Sequence, residues 1–71
     1  MEPIEIQKVQ AYLQRKFGQS DLLLRTRKTN DSVEVVLKGE FLGVIYKDID
    51  EGEVSYDFNM AILDIDLNEV A

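Results

Sequence analysis

The chain has 71 residues, eight Lys and Arg against fourteen Asp and Glu, a net charge of −6, and neither cysteine nor histidine. That length allows one domain with a thin core. The missing residue types exclude a disulfide staple, a thiolate zinc site, a Cys nucleophile and a Ser-His-Asp hydrolase.

Ile6, Val9, Leu13 and Phe17 recur at i, i+3, i+7 and i+11, with Tyr12 beside them, and Gln7, Lys8, Gln10, Gln14, Arg15 and Lys16 fill the other side. That spacing predicts an amphipathic helix over about 3–17. Pro3 suits its first turn, Glu2 and Glu5 its positive end, Arg15 and Lys16 its negative end, and Gly18 is its expected stop. After Gly18 the apolar period becomes two. Strands are predicted at about 22–28, 33–38, 41–48 and 53–60, separated by turn formers at Thr29–Ser32, Gly39–Glu40 and Asp50–Gly52. In the fourth strand Val54, Tyr56, Phe58 and Met60 share a face. Leu63, Ile65 and Leu67 then alternate with Asp64 and Asp66 on the opposite parity. Residues about 62–67 are therefore expected as a continuing strand after a bulge near Met60 to Ile62. A helix from about Met60 is the alternative, because Phe58, Ile62 and Ile65 also fit i, i+4 and i+7. The fold class expected is α+β: an N-terminal helix packed on a meandering antiparallel sheet of four to five strands, in one domain spanning 1–71.

The third strand is apolar on both faces. Strict alternation places Phe41, Gly43 and Ile45 under the helix, with Val33, Val35, Leu37, Tyr56 and Phe58. Leu42, Val44 and Tyr46 are then left on the opposite face, extended by Val36. One helix covers one face, and antiparallel sheets usually show water a polar second face. Val36, Leu42, Val44 and Tyr46 are accordingly the candidate interaction surface. Three covers are open: the chain's own sheet and Leu63–Leu67 segment, a second copy in a homodimer, or a foreign protein. Gly43, alone among the four glycines, sits inside a strand, where it makes room for a cross-strand ring such as Phe58.

Charge is unevenly divided along the chain. Residues 1–47 carry eight basic and six acidic side chains; Asp48, Asp50, Glu51, Glu53, Asp57, Asp64, Asp66 and Glu69 follow with no Lys or Arg among them. Asp48, Asp50, Glu51 and Glu53 form a candidate acidic surface for a basic protein. An EF-hand reading of that turn fails: counted from Asp48, Gly52 falls at position 5 and Asn59 at position 12, where the loop needs Gly at 6 and Glu at 12. The scattered glycines make no phosphate loop. Arg25, Arg27 and Lys28 are the one basic cluster, and at −6 the chain repels phosphate, so no nucleic-acid partner is expected. Met1 is followed by Glu2 and Pro3 without a basic or apolar leader, which argues against secretion. No apolar run approaches the roughly 18 residues of a membrane span. A cytoplasmic, non-enzymatic protein without membrane contact, metal or cofactor is the expectation, and a carboxylate-based metal protein or enzyme is the outside alternative.

The run Phe41-Leu42-Gly43-Val44-Ile45-Tyr46-Lys47-Asp48, then Asp50-Glu51-Gly52-Glu53, then Ser55-Tyr56-Asp57-Phe58-Asn59-Met60-Ala61-Ile62-Leu63-Asp64-Ile65-Asp66-Leu67 resembles a family of short alphaproteobacterial proteins catalogued as a domain of unknown function. Ala11-Tyr12-Leu13 and Phe17-Gly18 fit the same family. The resemblance implies a stand-alone cytoplasmic bacterial protein, and it carries over no activity, cofactor or catalytic residue.

Overall fold

A computed structural model of the chain describes residues 1–29 and 31–68, so Asn30 and Glu69 lie outside the described residues. The helix α1 occupies Pro3–Phe17, with Glu5 in its first turn, Arg15 and Lys16 in its last, and Gly18 closing it in the left-handed conformation. Four strands follow: β1 Leu22–Thr26, β2 Ser32–Leu37, β3 Glu40–Asp50 and β4 Glu53–Asn59. They form one antiparallel sheet in the order β1-β2-β3-β4. The architecture is the α+β arrangement expected of the sequence, with four strands.

Both long hairpins close on two residues at positive φ, Lys38–Gly39 (51° and 82°) and Glu51–Gly52 (51° and 84°). Such turns match the right-handed twist of the flanking strands and are the reason Gly occupies the second position of each. The first turn thus sits one residue earlier than Gly39–Glu40, and β2 ends at Leu37 rather than at residue 38.

The helix is fixed over one side of the sheet. Leu13, Leu22, Val33, Val35 and Ile45 are buried together, with Met1, Ile6, Val9, Leu24, Leu37, Leu42 and Phe58 packed around them. Gln10 and Gln14, expected on the wet side of the helix, instead bind the outer edge of β1. The Leu24 N–H donates to Gln10 Oε1 at 2.8 Å, and Gln14 Nε2 donates to the Leu22 carbonyl at 2.9 Å. An edge strand's outward amides and carbonyls need such cover or they template pairing with other chains. At the far end, the Phe17 and Phe58 rings meet edge to face, centroids 6.5 Å apart. Gly43 leaves room for that ring: a Cβ there would lie 2.9 Å from Phe58 Cε1 and overlap the Asn59 carbonyl oxygen.

The expected fifth strand does not form. After Asn59 the chain leaves the sheet, and Asp64–Leu67 makes one short helical turn, α2, held at its start by the Leu63 N–H donating to Asp66 Oδ2 at 3.2 Å. Two physical reasons combine. The β4 ladder ends at Val44↔Asn59, next to the point where β3 bulges out of register. The aspartates that alternation reads as the wet face of a strand also suit the positive end of a helix. Ile62, Leu63, Ile65 and Leu67 remain exposed. The radius of gyration, 13.4 Å over extents of 44 × 24 × 22 Å, exceeds the roughly 11 Å of a compact chain of this length.

Candidate functional site: an uncovered sheet face

The register between β2 and β3 shifts between Val35 and Val36, where Val35 pairs with Gly43 but Val36 pairs with Phe41. Leu42 is the extra residue of a β-bulge, and the bulge reverses the parity of what precedes it. Leu42 therefore turns to the helix side and packs against the core, while Phe41 turns to the opposite face beside Val36. This corrects the sequence reading at both positions. Val36, Val44 and Tyr46 lie on the open face as expected; Leu42 does not, and Phe41 takes its place. Leu23, paired with Val36, completes the group. Phe41 and Leu23 are each 53% exposed and Tyr46 45%, whereas Val36, in their midst, is 8% exposed.

The same open face carries the acidic side chains. Asp48 pairs with Ser55, Asp50 with Glu53 and Tyr46 with Asp57, so Asp48, Asp50, Glu53 and Asp57 form an acidic rail beside Tyr46, and Glu51 stands at the turn itself. On the β1 side the face is basic. Arg25 forms an ion pair with Glu34 at 2.6 Å, and Arg27 Nη1 donates to Ser32 Oγ at 3.4 Å. Apolar centre, acidic flank and basic flank thus share one surface.

A polar cluster on the helix side went unseen in the sequence. Glu5 Oε2 accepts the Tyr56 hydroxyl proton at 2.6 Å and lies 2.6 Å from Lys47 Nζ, while Oε1 accepts the Glu2 backbone N–H at 2.9 Å. Lys47 and Tyr56 are cross-strand partners, so one carboxylate ties the helix N-terminus to β3 and β4. Lys47 above all, then the Tyr56 hydroxyl and the Glu2 amide, hold the Glu5 carboxyl at about 2, below its usual 4.5. Glu5 in turn raises the Lys47 ammonium, and its hydrogen bond, with burial, raises the Tyr56 phenol. The cluster holds charge in place and acts as a strut. Its one sequence signal was Glu5 at the capping position of the helix; nothing local pointed to Lys47 or Tyr56.

Among the described residues no group of three or more acidic side chains is arranged to hold a metal ion, and no helix is long and apolar enough to cross a membrane. Fold and surface together define a small α+β domain with one helix-covered sheet face and one that no helix covers among the described residues. Residues 5–66 match the family described as protein of unknown function DUF3126, and the chain belongs to that family. No curated protein and no solved structure gave a significant match.

Proposed function

We propose that this protein is a non-enzymatic interaction module of the bacterial cytoplasm that binds protein through its open sheet face. One observation carries the reading: among the described residues six apolar side chains are buried, while fourteen large ones are exposed. Exposed apolar groups scattered singly need no explanation, but register sets the exposed Leu23, Phe41 and Tyr46 around Val36 and Val44 on one face, and contiguous patches mark interfaces. The test is Val44→Asp combined with Tyr46→Asp. The double variant keeps the far-ultraviolet circular dichroism of the parent and loses its association. A variant that instead unfolds as a monomer identifies these residues as core and ends the reading.

The register that gathers Asp48, Asp50, Glu53 and Asp57 supports a second reading, an adaptor docking a basic protein through the acidic stretch Asp48 to Glu69, of which Glu69 lies outside the described residues. Exposed charges are screened within about 8 Å at physiological ionic strength. Such an association weakens steeply between low and high salt; an affinity indifferent to salt excludes it.

A further inference from the structure

We infer that the occupant of the open face is a second copy of this chain, packed face to face about a two-fold axis parallel to the strands between β2 and β3, with Arg27 of each copy against Asp57 of the other. This rests on the reading of the open face as a protein interface and names its partner.

The charge layout selects the arrangement. Ser32 pairs with Tyr46 and Tyr46 with Asp57, so these three residues mark one level across the sheet. Arg27 reaches Ser32 Oγ from the β1 side, which puts its guanidinium at that same level. Asp57 stands at the opposite edge, three strand spacings or about 14 Å away. Rotation about an axis parallel to the strands keeps every level and exchanges the two edges. Arg27 of each copy then lies over Asp57 of the other, so that pair forms twice. A two-fold axis across the strands would instead set β1 on β1 and β4 on β4, and Arg27 would not meet Asp57.

The apolar residues fit the same rotation. The rotation exchanges β2 with β3, so Val36 of each copy covers Phe41 of the other, while Val44 comes over the stem of Glu34 and Tyr46 over Ser32. Leu23, level with Val36 and Phe41, comes over the end of the other copy's β4, where Met60 follows Asn59; each is 53% exposed in the single chain. Sheets stacked in this way stand about 10 Å apart, the thickness of two interdigitated side-chain layers. The contact is isologous and closes at two copies.

Charge reversal with sedimentation equilibrium tests it, circular dichroism confirming the fold of each variant. Arg27→Asp weakens the dimer by at least about tenfold. Asp57→Arg does the same, although it changes the net charge from −6 to −4 and so relieves general repulsion between copies. The double reversal in one chain restores the parent affinity. A parent protein that stays monomeric into the millimolar range overturns the second copy as partner. A dimer lost on Val44→Asp with Tyr46→Asp, yet strengthened by Asp57→Arg, overturns the arrangement and leaves the face reading standing.

Discussion

The two halves of the sheet have similar sequences and opposite fates. In β2, Val33, Val35 and Leu37 share the helix-side face; in β4, Val54, Tyr56 and Phe58 do the same. On the helix side of β2 Val33 and Val35 are buried, whereas none of the seven residues of β4 is. The difference lies in cover. The helix sits on the β1 side, where Gln10 and Gln14 seal the sheet edge, and it meets β4 through Glu5 on Tyr56 and Phe17 on Phe58. Hydrophobic alternation tells which residues share a face; it does not tell whether anything lies on that face.

That contrast is open to direct attack. Leu22→Ala, on the covered half, costs about 3 kcal/mol in denaturant unfolding, most of the margin of a domain this small. The matching truncation of Ile65, 66% exposed, costs less than about 0.5 kcal/mol. Equal losses at the two positions would erase the distinction. Gly43→Ala drives a methyl group into the Asn59 carbonyl and the Phe58 ring and costs about 2 kcal/mol, because β3 and β4 must separate to admit it.

Acid probes the strut between the halves. The Glu5 pKa is lower in the folded chain than its ordinary 4.5, so the unfolded chain binds the extra proton and stability falls as pH falls. The contribution is complete above 4.5 and is lost toward about 2. Glu5→Gln removes that portion of the acid dependence in a comparison of unfolding curves. At the alkaline end Lys47 and Tyr56 have raised values, so their contributions hold below their ordinary values, 10.5 and 10.0, and fade above them. The smallest effect is at the tip of the open half. Glu51 holds a positive φ that asparagine tolerates better, and Glu51→Asn stabilises by roughly 0.5 kcal/mol, read as a rise in Tm.

How far each feature was legible follows from how local its cause is. The helix at about 3–17 was readable, since period, proline and end charges lie within it and Gly18 directly follows it. Gly43 was readable too, as the one glycine without a turn to make. The exchange of Phe41 for Leu42 was not: a bulge depends on which residues two strands bring together, and alternation within one strand is blind to it. Gln10 and Gln14 look like solvent-facing residues until β1 is known to be an edge. The Leu63–Leu67 pattern satisfies both periods over five residues, and the outcome was decided by the end of the β4 ladder rather than by the segment itself. The acidic residues were legible as a group, whereas their collection on one face with Asp57 required the register.

Solvent exposure of the open face, measured on the assembled protein, tests the central claim most directly. A soluble paramagnetic probe is added to the protein at millimolar concentration and again after extensive dilution, and line broadening is followed by nuclear magnetic resonance. The account expects Leu23, Phe41 and Tyr46 to be shielded when concentrated and broadened when dilute, with Tyr12 and Phe17 on the helix broadened throughout. Open-face residues that broaden as strongly as Tyr12 at both concentrations would show a face with no self-partner, and would contradict it.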